Sequence, residues 1–304
     1  MVRQGRCGHA GSIVPHVWPG NPFRHPAWLA AHTDILEPGL TVERWGADPL
    51  DQAVTGFEPG GPLRLVGDRM SDRLDPPLCA LSEATDAAYA RAQPIEFRRL
   101  PLATAEALAT RIDADRATIT EAEGSPTIRL ATGTWDEYLA RPDARRSRRI
   151  AAQADRTLAQ ADIHVEVAAT PDEIVTALDT LVALHHLRFG SASRSFEPDK
   201  HAMVAAAAAG MSEDDAACVR TLLIDEQPVA ALFLLAGEGA TWFHQSGWDP
   251  AFASRSVGRA LLVDAMRDSC EHDRDFHLLC GDHEYKQWWA TDDQPVATVE
   301  VPRW

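Results

Sequence analysis

Lysine is almost absent from this sequence of 304 residues, which has only Lys200 and Lys286 beside twenty-seven arginines. We interpret the excess of arginine as genomic composition, so a retained lysine is informative. Cysteine is also sparse, and no two cysteines form a CxxC pair; the positions are Cys7, Cys79, Cys218, Cys270 and Cys280. Their odd number and wide scatter argue against a disulfide framework and a zinc site, and predict reduced thiols.

Long apolar runs are missing as well. No window approaches the roughly 18 apolar residues of a membrane span, and the first twenty residues lack the apolar run of a signal peptide. We therefore expect a cytoplasmic protein without a membrane partner. The net charge of −16 disfavours a polyanionic partner unless a local basic patch overrides it. A length of 304 residues is enough for about two globular domains, and a hydrophobic composition of 45% can fill their cores.

The chain has two halves with different patterns. The first half mixes short strand-like runs with helices and Pro/Gly-rich turns. A long helical stretch rich in arginine then forms a bridge, interrupted at Pro142. The second half is easier to interpret: a capped helix begins near Thr170, and three strands, a helix, a strand, a helix and a strand follow. We predict a first unit over residues 1–157 and a second over 158–304.

The helix predicted over Ser254–Ser269 begins in an unusual way. Its apolar residues recur at helical spacing, but Arg255 and Arg259 occupy the first turn, where the macrodipole disfavours cations. A strand that leads into a helix N-terminus with two arginines is typical of a phosphate site. The alternative is a surface helix with two solvated arginines.

The segment from Arg255 to Ala260, "RSVGRA", matches the (Q/R)-x-x-G-x-(G/A) loop of the GNAT superfamily of acyl-CoA N-acyltransferases. With "LHHLRF", "DEQPVAALFLL", "GWDPAF" and "GDHEYKQWWA", the chain resembles the cellulose-biosynthesis-associated (CelD-like) branch, most clearly from about Thr170 onward. Related Fem-type transferases combine two GNAT units.

The resemblance implies an α/β fold (of the α+β type) with two tandem GNAT-like units, mixed sheets flanked by helices, and a better preserved second unit. It also implies that acyl-CoA is the donor, without a metal, and that a small-molecule amine is the acceptor, bound in the cleft between the units. The implied coenzyme A loop consists of Arg255, Ser256, Val257, Gly258, Arg259 and Ala260.

Four residues are candidates for catalysis. Strand alternation places Trp242, His244, Ser246 and Trp248 on one face, so His244 is a candidate general base, or else a hydrogen-bonded core histidine. Tyr285 can protonate the departing thiolate and Lys286 can stabilise developing charge, unless "YKQWW" is a helix that packs into a core. Asp282 is an acidic alternative as base. The resemblance further implies that His185 and Arg188 line the acceptor cleft, and we expect Trp248 there.

A basic patch lies on the bridge and consists of Arg141, Arg145, Arg146, Arg148 and Arg149, with Arg156 a little further on. Such a run is commonly a solvated helix face, or it recognises phosphate on coenzyme A, a carrier protein or a tRNA stem. Three functions follow: an acyl-CoA-dependent N-acyltransferase, a Fem-like transferase that takes an aminoacyl group from tRNA, and a non-catalytic GNAT scaffold.

Overall fold

The computed structural model of the chain describes residues 18–113, 115–190, 193–281 and 283–303. The strands in these ranges are β1 (Thr41–Trp45), β2 (Ala53–Phe57), β3 (Leu63–Leu65), β4 (Ile95–Pro101), β5 (Thr118–Glu123), β6 (Pro126–Ile128), β7 (Ile163–Ala168), β8 (Ala217–Ile224), β9 (Gln227–Gly237), β10 (Ala240–Trp248), β11 (Asp275–His277), β12 (Asp292–Asp293) and β13 (Val296–Val301). The α-helices are α1 (Pro26–Ala31), α2 (Leu78–Ala90), α3 (Leu102–Ile112), α4 (Trp135–Ala140), α5 (Arg145–Leu158), α6 (Pro171–Phe189), α7 (Pro198–Met211), α8 (Val257–Glu271) and α9 (Glu284–Gln287).

The first sheet has the strand order β1-β2-β3-β4-β13-β5. Its strands are antiparallel except β3 and β4, which run parallel and are connected through α2. β13 lies between β4 and β5 and pairs with both. Val299 and Val301 of β13 are buried. The last described strand of the chain is therefore a central strand of the first sheet.

The second sheet has the strand order β12-β6-β11-β10-β9-β8-β7, and only β10 and β11 are parallel. Asp225 and Glu226 join β8 to β9. Both residues have positive φ angles, 47° and 62°, as a two-residue type I′ turn requires. β8 and β9 therefore form a β-hairpin.

Two apolar cores lie on opposite faces of the second sheet. One core joins α6, α7 and the first sheet, and it includes Phe233 and Trp242. The other lies between the sheet and helices α5 and α8, and it includes Leu232 and Phe243. Successive strand residues point to opposite faces, which explains how neighbours enter different cores. The predicted fold class, mixed α/β with two sheets flanked by helices, is confirmed.

The two sheets exchange strands across residue 157. β6 precedes this point but pairs with β11 and β12 of the second sheet. β13 follows it but belongs to the first sheet. The position of a boundary between 157 and 158 therefore remains a prediction, and a cut there would remove a strand from each sheet.

Helix α7 is absent from the sequence prediction. Its run of alanines has little contrast between apolar and polar positions, so periodicity does not reveal it. The helix forms because alanine has the highest helix propensity and because Met203, Val204 and Met211 are buried. None of the helices in the described ranges combines the length and the apolar composition of a membrane span.

Candidate active site

The loop before α8 presents free backbone amides. A 3₁₀ turn over Pro250–Arg255 leads to Ser256, whose left-handed conformation (φ 54°) starts the helix. The amides of Arg259 and Ala260 both donate to the carbonyl of Ser256. The amides of Val257 and Gly258 precede the first intrahelical bond and find no carbonyl acceptor among the described residues. They lie at the positive end of the helix dipole and are therefore suited to an anion.

The two arginines of the loop have different roles. Arg255 forms an ion pair with Asp162, with Nη1–Oδ2 and Nη2–Oδ1 distances of 3.0 and 3.1 Å, and a hydrogen bond to Gln160. Arg259 is exposed and has no ion-pair partner among the described residues. Arg255 therefore anchors the loop to the start of β7, while Arg259 remains available to a ligand.

Helix α5 braces the same loop. Gln153 Nε2 donates to the hydroxyl of Ser256 over 2.9 Å, and the Thr157 hydroxyl donates to the carbonyl of Arg255 over 2.9 Å. No spacing motif indicates Gln153, Thr157 or the partner of Arg255, because the contacts join positions about 100 residues apart. Sequence reasoning therefore missed the residues that hold the loop in shape.

A cavity of about 360 Å³ opens beside this loop. Its lining combines the loop, the end of β10, the end of α6 and the segment around α9; the predicted site residues in it are Ser256, Val257, Gly258, Arg259, Arg188, Trp248 and Tyr285. β10 and β11 pair only over Ala240–Trp242 and Asp275–His277, whereas β10 continues to Trp248. Because the strands separate beyond this pairing, the chain leaves room for a ligand between them.

Gly258 lies against the indole of Trp248. A Cβ atom at Gly258 would lie 2.9 Å from Trp248 Cδ1, closer than such contacts allow. The absence of a side chain thus lets the indole form the cavity wall next to the amides. The prediction that this glycine lets a phosphate approach the backbone remains a prediction.

Arg188 lies at the mouth of the cavity. Its guanidinium is 5.4 Å from the centre of the Trp248 ring and 4.4 Å from that of Phe189, and Nη1 lies 3.4 Å from the Ser246 hydroxyl. Tyr285 also lines the cavity, and burial raises the pKa of its phenol. The cavity therefore brings together a cation and a neutral phenol, as the sequence led us to expect.

His244 does not lie on the cavity face, which corrects the predicted strand alternation. The register of β10 with β9 shifts between Phe243 and Gln245, so a β-bulge occurs at His244. Phe243, Ser246 and Trp248 consequently line the cavity, while Trp242 and His244 face the other core. The bulge reverses the face of the residues that follow it.

Burial and hydrogen bonding define the surroundings of His244. Its Nε2 donates to the Met70 carbonyl over 3.1 Å, and its Nδ1 finds no hydrogen-bond partner in the described part of the chain. Burial lowers the pKa of this histidine, so the imidazole is neutral near pH 7. His244 is thus held by the first unit, on the opposite face of the sheet from the cavity.

Lys286 is buried and does not belong to the cavity lining. Its side chain is only 5% exposed, and Nζ donates to the carbonyl oxygens of Leu279 (3.1 Å) and Cys280. Burial lowers the pKa of its ammonium group. The lysine does not line the cavity, because the strand-to-helix connection before α9 engages its head group.

Two predicted site residues remain, His185 and Asp282. His185 is buried and uses both ring nitrogens: Nδ1 donates to the Ser246 carbonyl over 3.0 Å, and Nε2 accepts from the Ser193 hydroxyl over 2.8 Å. It connects α6 to β10 behind the cavity wall. Asp282 lies outside the described residues.

The predicted basic patch occupies the exposed side of α5. Arg146 lies 3.3 Å above the Trp288 ring and pairs with Glu284, and Arg148 donates to the carbonyls of Leu139 and Arg141. Arg145 and Arg149 have no ion-pair partner among the described residues, and both line an open cavity of about 780 Å³. The spacing of four residues places them on one helix face with Gln153, which contacts Ser256.

Comparison with known proteins identifies the class of this arrangement. Residues 144–287, from the start of α5 to the end of α9, match the family described as acetyltransferase (GNAT) domain. This segment is similar to GNAT acetyltransferase domains. Its class of reaction, acyl transfer, follows from the match, and the predicted enzyme class, an acyltransferase, is confirmed. No protein with a curated description matches the sequence.

The fold of the whole chain, including this segment, has counterparts among solved structures. A conserved protein of unknown function from Bacteroides thetaiotaomicron is 13% identical with a TM-score of 0.64, over 93% of this chain and 92% of that chain. FemX is 12% identical with a TM-score of 0.60, over 88% and 90%. L-PGS from Bacillus licheniformis is 13% identical with a TM-score of 0.58, over 94% and 93%. At these identities the likeness is one of fold.

Proposed function

We propose that the protein is an N-acyltransferase that moves an acyl group from acyl-CoA to an amine of a small-molecule acceptor. The observation that carries this proposal is the shared cavity of the α8 loop, Arg188 and Tyr285. A biosynthetic role within the cellulose-biosynthesis-associated branch is part of the proposal and rests on the sequence motifs.

The donor pyrophosphate binds at the N-terminus of α8. The amides of Val257 and Gly258 donate to phosphate oxygens, and Arg259 supplies the nearby positive charge. Bracing by α5 keeps these donors in place before the ligand arrives, which reduces the entropy lost on binding. A metal ion is not needed to neutralise the phosphates in this arrangement.

The acyl group lies further in, between the diverging strands. In the reaction the amine nitrogen attacks the thioester carbonyl, a C–N bond forms, and the C–S bond breaks with release of coenzyme A thiolate. Tyr285, neutral near pH 7, can give its proton to that thiolate. The acceptor amine loses a proton during the reaction; its base remains a prediction, with Asp282 as the candidate, because His244 faces the other core.

A second candidate function is a Fem-like transfer of an aminoacyl group from tRNA. The specific observation is the line of Arg145, Arg149 and Gln153, which covers about 12 Å of helix and ends at the α8 loop. Two arginines without ion-pair partners suit a second phosphate group beyond the pyrophosphate site. The same line suits the ribose phosphate of coenzyme A or a carrier protein.

Ligand-dependent thermal stabilisation distinguishes these donors. We expect acetyl-CoA or a longer acyl-CoA to raise the unfolding temperature, with free coenzyme A giving part of the effect. Stabilisation by charged tRNA, with no response to any acyl-CoA, would replace the first function by the second. An unchanged unfolding temperature with every donor would contradict both.

A further inference from the structure

Three buried side chains of the first unit meet beside α1. His32 begins a π-helical turn over His32–Leu36, Glu37 ends that turn, and Asp68 follows β3. Their exposed fractions are 0%, 8% and 6%. One potential ligand atom from each lies within 4.8 Å of the other two. π-Helical turns are frequent at functional sites, and this cluster includes one.

The cluster contains acceptors without donors. Glu37 Oε2 lies 3.0 Å from His32 Nε2. Both atoms can face one ion, which takes the place of the proton between them. Among the described residues, His32 Nδ1 and both oxygens of Asp68 have no hydrogen-bond partner, which is costly in a protein interior.

We propose that His32, Glu37 and Asp68 bind a divalent transition-metal ion of the zinc type. One imidazole and two carboxylates form a ligand set that zinc accepts. Ligand atoms on one zinc ion lie at most about 4 Å apart, so side-chain shifts below about 1 Å close the set. The sequence predicts no metal here because positions 32, 37 and 68 follow no ligand motif.

The surroundings are compatible with a cation. Arg64 donates to Glu37 Oε1 over 2.8 Å and orients that carboxylate from outside the ligand set. Arg69 pairs with the same oxygen over 3.2 Å, but its side chain is 52% exposed and can turn to solvent. The ion then balances the charge of Asp68. Leu36, Asp68 and Arg69 line a cavity of about 940 Å³, which gives the ion an entry path.

The ion has a structural consequence for the second unit. Asp68 precedes a short segment whose Met70 carbonyl accepts from His244 and whose Asp72 carbonyl accepts from Cys280 Sγ at 3.1 Å. Fixing Asp68 therefore fixes the segment of the first unit that contacts β10 and the chain after β11. This inference does not depend on the identity of the acyl donor.

Thermal unfolding and cobalt spectroscopy test the site. After treatment with a chelator and its removal, Zn²⁺ at about 100 times its dissociation constant should raise the unfolding temperature by roughly 5–10 °C. Co²⁺ should give visible d–d absorption bands. The isosteric variant Asp68→Asn should unfold within about 2 °C of the wild type in chelator and should lose both responses.

His25→Gln is the matched control. His25 is also buried and pairs with a carboxylate, Asp214, over 2.9 Å, but it lies outside the cluster. This variant should keep the zinc-dependent rise and the cobalt bands. The proposal is overturned if the wild type shows neither response, in which case a buried water satisfies the cluster, or if Asp68→Asn responds like the wild type.

Discussion

Lys286 shows how burial changes the role that a residue type suggests. Its position in "EYKQWW" and the scarcity of lysine predict a catalytic ammonium group. In the structure the head group satisfies the carbonyls of Leu279 and Cys280. Burial and these two bonds cannot be deduced from local sequence, because they depend on the path of the chain between β11 and α9.

We predict that Lys286→Met lowers stability more than it lowers turnover. The change leaves two buried carbonyl oxygens without a donor, which costs about 1–3 kcal/mol. The measurement is thermal unfolding in parallel with steady-state kinetics at a permissive temperature. Lys200→Met is the control, since Lys200 forms an ion pair with Glu197 at the start of α7. An unchanged unfolding temperature with a hundredfold loss of turnover would instead make Lys286 catalytic.

His277 predicts a pH dependence of stability. Burial, with the charges of Arg73 and Arg129, lowers its pKa to about 3, below the value of about 6.5 in an unfolded chain. Between these values the unfolded state binds a proton that the folded state does not. The contribution of His277 is therefore complete above about pH 6.5 and is lost as the pH falls toward about 3, by up to about 1.4 kcal/mol per unit.

His277→Gln should make the free energy of unfolding fall less steeply than in the wild type between about pH 6 and 4. Chemical denaturation at a series of pH values measures this difference. The control is His164→Gln, because His164 is 41% exposed on β7. Parallel pH profiles for wild type and His277→Gln would contradict the assignment.

At the scale of elements, periodicity predicts α8 and its loop well. The apolar stripe, Gly258 and the arginines of the first turn are local signals, which depend only on residues close in sequence and can therefore be recognised without the fold. The strand face of His244 was predicted incorrectly, because a β-bulge depends on pairing with β9 and has no signature in "TWFHQSGW". The support of the loop by α5 was missed for the same reason, since it joins elements that are distant in sequence.

Helix α5 provides a prediction about donor binding. Replacing Arg145 and Arg149 together by Gln should weaken binding of a phosphate-bearing donor, and should reduce the slope of log affinity against log salt for tRNA by about 1–2. Titrations at several salt concentrations measure the slope. Arg111→Gln, on α3 and paired with Asp86, is the control and should behave as the wild type. An unchanged slope in the double variant would leave α5 as a solvated face.

At the scale of the whole molecule, the strand exchange couples the two sheets. The sequence predicts two units, and two sheets are present, but it gives no sign that β13 returns to the first sheet. Which strands pair depends on residues that are far apart in sequence, and the pattern of "VATVEV" fits a central strand of either sheet. The second sheet likewise belongs to both cores, because each of its faces packs into one of them.

We predict that removal of residues 296–304 destabilises both sheets at once. The deletion exposes the edges of β4 and β5 and empties the positions of Val299 and Val301 in the shared core. Circular dichroism should show loss of the cooperative transition, whereas a protein lacking only residues 303–304 should keep it. A truncated protein that retains the wild-type unfolding temperature would contradict the coupling.

The α8 loop is the proposed site for coenzyme A pyrophosphate, and calorimetric titration of acetyl-CoA into Gly258→Val tests this assignment most directly. A side chain at Gly258 collides with Trp248 beside the free amides, so affinity should fall by at least about tenfold in a protein that remains folded. The control Ala206→Val places the same final side chain on the exposed side of α7 and should bind as the wild type does. If Gly258→Val binds acetyl-CoA with wild-type affinity, the loop is not the phosphate site.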